Sequence, residues 1–487
     1  MKQIFYHGTI LTMEANRETE AVLIHEDTIE KTGTFEEVRA MAPDAELIDL
    51  KDKTMIPAFL DAHGHFSSYA NAQLQVSLEE AVDVREITER IHAFMENNKI
   101  GAGQWIVAKG YDHNMLTEQS HPSREVLDEI APDHPLVLQH QSGHCGVFNT
   151  MALTCLALTP QTPVPAGGVI ECVDGKLTGY MEETAYIQYV KKVPMADLDT
   201  MLAAYRKAQN NYFAYGITTA QEGMMVTQML PLYQCLLESG LLTIDVIGYP
   251  DMTSMKAIAN AFPKAKHAYD RHFKIGGYKI ILDGSPQVKT AWMQAPYLGS
   301  DTYCGYGTMS DEEVLAAIDT ATSEGQQILA HANGDAAIQQ YIDAVSKEAE
   351  KNKNVIQLKP VIIHSQSISP AKEALNQEIP FTFHQDAPVI EPNMLETIQC
   401  AVNRTTKQGC VLGEQECIDV YDALKAVTIN AAYQYSEETC KGSIKEGKQA
   451  DFVILSDNPL TVPKDKIANI TIMETRKAGN IVFQREG

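Results

Sequence analysis

Three things are scarce in this sequence: paired cysteines, positive charge and long apolar runs. The nine cysteines are scattered and include no CxxC pair, so we expect reduced, mostly buried thiols instead of a secreted disulfide framework. Lysine and arginine number 39 against 64 acidic residues, and the net charge of −25 argues against nucleic acid or an anionic membrane as partner. No apolar run approaches the roughly 20 residues that cross a bilayer. The first residues lack a signal-peptide core, so we expect a cytoplasmic protein.

The order of sequence patterns predicts two domains, because 487 residues are too many for one ordinary core. We predict that residues 1–57 and 437–487, which read as short strands, form one small β-sandwich, since neither end can bury a core alone. Residues 58–436 alternate apolar strand-like runs with helical patterns. This alternation predicts an α/β fold with a TIM-like (β/α)₈ barrel. A long excursion at about 67–215 predicts a subdomain inserted into the barrel.

The predicted barrel is one strand short. Eight strands are needed, and the chain offers seven apolar runs, which are MIPAFLDAHGH, GITTAQEG, LTIDVIGYP, GGYKIILDGS, QQILAHANGD, PVIIHSQ and IPFTFHQDAP. About 16 residues separate His364 from Phe381, too few for a further strand with a crossover on each side. We therefore expect that the sequence omits a segment after about Gln366, because an open barrel would expose two strand edges.

Ionisable side chains recur at the ends of these runs. They are His63, His65, Lys279, His331, His364, His384 and Asp386. Side chains at i and i+2 of a strand share a face, so His63 and His65 should project together. In a (β/α)₈ barrel the C-terminal strand ends form one active-site face, where we expect the whole set to converge.

Imidazoles and a carboxylate at one face are good ligands for zinc or another divalent metal. Such an ion lowers the pKa of a bound water to about 7 and so supplies a nucleophile at neutral pH. Asp386 is the expected proton acceptor, and it would pass the proton to the leaving group. The pair His140 and His144 in HQSGH has HxxxH spacing but lies among Gly and Ser, so we do not expect a helical zinc pair there.

Several stretches carry a family resemblance that covers nearly the whole chain. They are FLDAHGHF, PAGGVIECVDGKLTGYMEETA, KIILDGSPQVKTAWMQAPY, LAHANGDAAI, HQDAPV and KGSIKEGKQADFVILSDNPL. Together with the order of the ionisable residues, they resemble the amidohydrolase superfamily. Within it they are most similar to amidohydrolase family 3, the relatives of N-substituted formamide deformylase.

The resemblance implies one or two divalent ions, with zinc expected. It implies metal ligation by His63, His65, His331 and His364, with Asp386 as both ligand and proton shuttle. It also implies that Lys279 is carboxylated and bridges two ions, which would turn a costly buried cation into an anionic ligand.

Three further residues are expected at the substrate. Glu183, in the GYMEETA motif, is the alternative bridging ligand or a residue of the substrate pocket. His144 could reach the substrate from the inserted subdomain. His384, in HQD, stands where many members of the superfamily have a small residue before the Asp, and we expect it to be an additional pocket group.

The leading functional hypothesis is a metal-dependent hydrolase that cleaves a C–N bond, of amide or N-formyl type and not a peptide bond, in a small-molecule substrate. A deaminase or cyclic-amide hydrolase on the same site is the first alternative. A non-catalytic relative that binds a small molecule is the second, although every expected ligand is present. A homo-oligomer is compatible with the sequence.

Overall fold

The structure is a computed structural model that describes residues 2–194, 196–266, 268–366, 370–406 and 409–485. The chain divides into two compact units. We call Met1–Ser68 with Ala208–Gly487 the main unit, and Tyr69–Lys207 the inserted unit. The boundaries of the two predicted domains stay a prediction.

Strands in the described residues belong to four sheets. In chain order they are β1 (Lys2–Leu11), β2 (Glu18–His25), β3 (Thr28–Gly33), β4 (Glu46–Asp49), β5 (Thr54–Pro57), β6 (Phe59–Leu60), β7 (Val76–Ser77), β8 (Ile106–Tyr111), β9 (Leu136–His140), β10 (Cys145–Phe148), β11 (Gly168–Val173), β12 (Lys176–Glu182), β13 (Ile217–Met225), β14 (Asp245–Pro250), β15 (Phe273–Ile275), β16 (Gly277–Ile281), β17 (Gln327–Ala332), β18 (Val361–His364), β19 (Phe452–Leu455), β20 (Ile472–Lys477) and β21 (Asn480–Gln484).

The α-helices of the described residues are mostly short. In chain order they are α1 (Phe35–Met41), α2 (Phe66–Ala72), α3 (Val84–Asn97), α4 (Arg124–Ile130), α5 (Thr150–Cys155), α6 (Glu183–Val190), α7 (Leu198–Ala214), α8 (Leu230–Glu238), α9 (Met255–Ala261), α10 (Asp311–Ser323), α11 (Asp335–Lys351), α12 (Asn354–Gln357), α13 (Pro370–Asn376), α14 (Met394–Asn403), α15 (Val420–Ala426) and α16 (Ile429–Gln434).

Both ends of the chain contribute to one eight-stranded sheet. Its order is β21-β20-β19-β5-β1-β2-β3, and β4 pairs with β1. Apolar side chains alternate along β1, so that Phe5 and Ile10 pack in a cluster with Phe452 while Ile4 packs in another with Val38 of α1. Such alternation buries both faces of the sheet. The chain leaves this sheet at Pro57, the last residue of β5, and enters β6 two residues later.

The metal-site residues are positioned by parallel strands of the main unit. One sheet has the order β15-β14-β13-β6 and the other the order β16-β17-β18. A bridge between Asp251 and Lys279 links the end of β14 to β16. The strands are separated by helices such as α10 and α11, which is the strand–helix alternation of an α/β fold.

The described residues do not form the closed eight-stranded barrel predicted from the sequence. The run IPFTFHQDAP forms no strand there, and side chains hold its backbone instead, as where Asn430 Nδ2 donates to Phe381 O at 2.9 Å. A strand needs a neighbouring strand to pair with its backbone N–H and C=O groups. The sequence between His364 and this run is too short to contain the neighbouring strand that a barrel would place there. The segment expected to be omitted would begin at residues 367–369, which lie outside the described residues.

The inserted unit has a six-stranded sheet of its own, with the order β11-β12-β10-β9-β8-β7. Strands β7, β8 and β9 are parallel, whereas β10, β11 and β12 are antiparallel. Helix α3 begins after Asp83, whose side chain accepts from Glu86 N, and it packs Ile87 and Ile91 against this sheet.

The cysteines are more exposed than the sequence suggested. The nine cysteines are unpaired, but five are exposed and the others are half-buried, so the prediction of mostly buried thiols is wrong.

Among the described residues, no helix combines the length and the apolar character that a membrane span requires.

Candidate metal centre

The HxH turn directly after β6 brings two imidazoles to the end of the parallel strands. His63 is buried, with 1% of its surface exposed, and its Nδ1 lies 2.6 Å from Gln221 Oε1. A Cβ on Gly223 would come within 2.6 Å of His63 Cε1, so this close approach requires glycine. His65 N donates to Ala387 O at 2.8 Å, which fixes the turn against the loop that carries Asp386.

Asp386 faces both imidazoles of this turn. Its Oδ1 lies 3.5 Å from His63 Nε2 and 3.3 Å from His65 Nε2. The same Oδ1 is buried and has no hydrogen-bond partner. Lys279, from β16, places its Nζ 3.5 Å from His63 Nε2. Four predicted residues from three separate parts of the chain therefore meet around one point.

The other predicted imidazoles continue this group. The His364 ring centroid lies 5.2 Å from that of His63 and 4.5 Å from that of His331. His384 lies 5.1 Å from both His63 and His364, and its buried Nδ1 has no partner. In-register pairing of β17 with β18 sets Ala332 opposite His364, which brings the ends of the two strands together.

Two residues of the group have a left-handed backbone. His364 has a φ of 75° and Asp386 a φ of 56°. Non-glycine residues adopt this conformation at a cost of order 1–3 kcal/mol, and such residues are found at active sites as well as in ordinary turns. The backbone turns at these two positions aim the side chains at the group.

Burial favours the neutral form of four of these imidazoles, those of His63, His331, His364 and His384, and the neutral form is the one that binds a metal. Burial and the neighbouring Lys279 hold the pKa of His63 well below its usual range. Burial likewise lowers the pKa of His331 and of His364, and that of His384 to about 4. Burial lowers the pKa of Lys279 to about 7, so at neutral pH much of this side chain is an uncharged amine.

Two residues that the sequence analysis did not single out orient the imidazoles. Gln221 Nε2 donates to Ala62 O at 2.8 Å and to Tyr435 Oη at 3.0 Å, which turns its Oε1 towards His63 Nδ1. Asp283 accepts from the backbone N–H groups of Asn333 and Gly334 at 2.9 and 2.7 Å and so holds the turn after His331. Both are polar residues within the predicted strand-like runs, in TTAQEG and IILDGS, and that position was the available signal.

These hydrogen bonds leave one ring nitrogen of His63 and one of His331 unprotonated and able to bind a metal ion. With its Nδ1–H donating to Gln221, His63 presents an unprotonated Nε2, and with its Nε2–H donating to Gly284 O at 3.2 Å, His331 presents Nδ1. Partners on the second ring nitrogen orient imidazole ligands in this way. One ligand atom each of His63, His65 and Asp386 lies within 4.8 Å of the other two, and this set of imidazole and carboxylate donors fits a divalent metal ion. His364 and His331 join this set only through ring contacts, with centroids 5.2 and 4.5 Å apart in the order His63 to His364 to His331.

The remaining two predicted residues belong to the inserted unit. His144 Nδ1 lies 3.0 Å from Glu183 Oε2, and both side chains are exposed, at 62% and 56%. The structure pairs these residues with each other, and their expected roles at the substrate stay predictions.

Comparison with known proteins agrees with this site. The sequence pattern of the amidohydrolase family matches residues 46–371 and 357–483. The chain is 25% identical to YtcJ of Bacillus subtilis (strain 168), with all of both chains covered, and the alignment spans 551 positions against 487 residues here. It is also 25% identical to N-substituted formamide deformylase of Arthrobacter pascens, with 99% of this chain and 98% of the relative covered.

Solved structures share the fold. An uncharacterized metal-dependent hydrolase from Pyrococcus horikoshii OT3 superposes with a TM-score of 0.73 at 22% identity, covering 95% of this chain and 99% of the other. The family match confirms the predicted enzyme class, a metal-dependent hydrolase of carbon–nitrogen bonds. The chain belongs to the amidohydrolase family, in the family-3 group that its motifs resemble.

Proposed function

We propose that this chain hydrolyses an amide or N-formyl bond of a small molecule, with one or two divalent ions, most simply zinc, held by His63, His65, His331, His364 and Asp386. The observation that carries the proposal is the buried Asp386 Oδ1, which has no partner and stands 3.3 and 3.5 Å from two imidazole nitrogens. A buried carboxylate without a partner is costly. A bound cation among the same atoms removes that cost.

Lys279 is proposed to be carboxylated and to serve as a further ligand. Its amine is buried beside His63, and burial lowers its pKa to about 7. The neutral amine is the form that reacts with CO₂: a nitrogen–carbon bond forms, the nitrogen loses one proton, and an anionic carbamate results. Two oxygens that can bind a metal would then replace a buried amine that is only partly charged at neutral pH. This supports the bridging role for Lys279 over Glu183.

Asp386 is proposed to move the proton. Burial alone would raise its pKa, but His65, whose Nε2 lies 3.3 Å from Oδ1, and the nearby imidazoles of His364 and His384 hold the pKa below its usual range. The carboxylate is therefore ionised at neutral pH and ready to accept a proton, which it can return to the departing amine nitrogen. The metal, when bound, activates the attacking water and polarises the carbonyl. His384, in ring contact with His63 and His364, is proposed to touch the substrate.

We also propose that the parallel strands of the main unit are the larger part of a (β/α)₈ barrel. Among the described residues β18 pairs only with β17, so one of its edges is free to accept the strand of an omitted segment.

Metal removal combined with a substrate screen tests the proposed function. The full chain is treated with a chelator, and hydrolysis of N-formyl and N-acyl amines is followed by amine release. We expect at least a roughly hundredfold loss of rate and recovery on adding Zn²⁺, because the ion supplies several kcal/mol to the transition state. Recovery should be poorer in CO₂-free buffer than with bicarbonate, since the carbamate of Lys279 must re-form.

The outcomes separate the competing functions. Full activity in metal-free protein, or zinc-loaded protein that hydrolyses none of these amides, would contradict the proposal. Release of ammonia from ring amino groups alone would favour the deaminase alternative. Zinc binding with no turnover of any substrate class would favour a non-catalytic relative.

A further inference from the structure

We propose that the inserted unit binds a divalent transition-metal ion of its own through Asp112, His113 and His140. Asp112 and His113 directly follow β8, and His140 is the last residue of β9. The two strands are parallel neighbours with Tyr111 opposite His140, so their ends meet at one edge of the sheet. None of these residues belongs to the site proposed for hydrolysis.

The three ligand atoms have the spacing of a coordination sphere. His113 Nδ1 lies 3.2 Å from His140 Nε2, and Asp112 Oδ1 lies 3.5 Å from His140 Nε2 and 3.8 Å from His113 Nδ1. In a tetrahedral zinc site with bonds of roughly 2.0–2.1 Å, ligand atoms lie about 3.3–3.4 Å apart. The observed triangle, with sides of 3.2, 3.5 and 3.8 Å, is thus close to one face of such a tetrahedron.

Neighbouring groups hold these side chains in place. Ser142 Oγ lies 2.9 Å from His140 Nδ1, which leaves Nε2 to face the cluster. Asn114 N donates to Asp112 Oδ1 at 2.9 Å. The His113 ring stacks on His121 with centroids 4.1 Å apart. Asn114 Nδ2 donates to the same Asp112 Oδ1 at 3.0 Å, and Gln141 Nε2 donates to Oδ2. Ser142 is a partner of the outer kind that orients an imidazole ligand, whereas a bound ion would share Asp112 Oδ1 with Asn114.

The chemistry of the cluster suits an ion of intermediate softness. Two imidazoles with one carboxylate bind zinc and other first-row divalent metals. The His140 side chain is 10% exposed, while those of Asp112 and His113 are 17% and 31% exposed. The site is therefore partly shielded from water and still open to an entering ion.

The same distances also suit a hydrogen-bonded triad without an ion. Ser142 N lies 3.2 Å from His140 Nδ1 and can donate to it, in which case His140 Nε2–H donates to His113 Nδ1. Because the triad and the metal site differ in zinc content, a binding measurement decides between them.

The test uses the full chain, freed of metal with a chelator, and Zn²⁺ alone as the probe. Bound zinc is counted after equilibrium dialysis for wild type, His113→Gln, Asp112→Asn and His140→Gln. We expect each variant to bind one zinc equivalent fewer than wild type. The deficit should persist in a His63→Ala background, which separates this site from the one proposed for hydrolysis. His92→Ala, at an exposed histidine on α3 of the same unit, is the matched control and should keep the wild-type count.

Equal zinc content in wild type and all three variants would overturn the proposal and leave the triad. Circular dichroism in zinc-free buffer checks folding. His113 is the most exposed of the three ligands, so His113→Gln is the variant least expected to disturb folding. If the Asp112 and His140 variants unfold, the zinc content of His113→Gln alone decides the test. Replacing zinc by Co²⁺ gives a second readout, because a site with two imidazoles and a carboxylate adds visible d–d absorption that His113→Gln should remove. Identical Co²⁺ spectra would also count against the site.

Discussion

Replacing Asp386 by Asn is expected to lower kcat by about 10²–10⁴-fold, the contribution of one well-placed general acid–base group. The Asn amide preserves the shape of the side chain but cannot accept a proton at neutral pH. The carboxylate it replaces faces His63 and His65 at 3.5 and 3.3 Å. Rates should be measured at saturating Zn²⁺, so that loss of proton transfer is separated from weaker metal binding.

The matched control is Asp319→Asn, which removes the same charge from an exposed position on α10. It should leave kcat unchanged. If Asp386→Asn kept kcat within tenfold of wild type on an amide substrate, the proton-shuttle role would be wrong, even if zinc still bound.

Replacing Asp245 by Asn is expected to destabilise the protein by about 3–5 kcal/mol, the cost of breaking a buried ion pair. Asp245, at the start of β14, accepts from Lys441 Nζ at 2.5 Å and from Lys477 Nζ at 2.9 Å. All three side chains are 5–6% exposed. The Asn variant would remove the carboxylate that contacts Lys477 and would leave Lys441 with its other carboxylate, that of Glu437, 3.2 Å away. Thermal unfolding monitored by circular dichroism measures the difference.

The stabilisation of the fold by the Asp245 carboxylate should decrease as the pH falls. Burial alone would raise its pKa, but Lys441, His272 and Lys477 together hold the pKa well below its usual range. A carboxyl whose pKa is depressed on folding contributes stability above its unfolded pKa of about 3.9 and loses it as the pH falls. The difference in the free energy of unfolding between wild type and Asp245→Asn should therefore be largest at pH 5–7 and should decrease below about pH 4.

A surface pair provides the control for this experiment. Asp465 lies 3.8 Å from Lys466, and both side chains are mostly exposed, at 71% and 59%. Solvent screens such pairs, so Asp465→Asn should change stability little at any of these pH values. An Asp245→Asn variant as stable as Asp465→Asn would contradict the account of the buried cluster.

Much of the metal site could be predicted because its signals are local. The spacing of His63 and His65, and the position of His331 and His364 at the ends of apolar runs, depend only on strand geometry. The structure brings these four imidazoles together with Lys279 and Asp386. The metal they are proposed to bind, and the role of each residue, stay predictions.

The last apolar run shows where local patterns fail. IPFTFHQDAP has the composition of a strand, yet its described residues form none. Strand formation depends on a neighbour that is distant in sequence, and the about 16 residues between His364 and Phe381 are too few to supply the neighbouring strand that the barrel requires. The hydrogen-bond partners of the imidazoles also cannot be predicted from local patterns, because they are distant in sequence. Gln221 and His63, for example, are 158 residues apart.

The cluster of Asp112, His113 and His140 in the inserted unit could not be predicted from the spacing of residues along the chain. His140 and His144 attracted notice because of their HxxxH interval, but the structure pairs His144 with Glu183 and His140 with His113, 27 residues away. Parallel pairing of β8 with β9 creates that contact, and no short motif encodes it.

Anomalous diffraction at the zinc absorption edge, from crystals of the full chain grown with Zn²⁺, would locate the ion itself. We expect a peak within bonding distance, roughly 2.0–2.1 Å, of His63 Nε2, His65 Nε2 and Asp386 Oδ1. Such crystals with no peak among these three atoms would show that the residues do not form the proposed metal site.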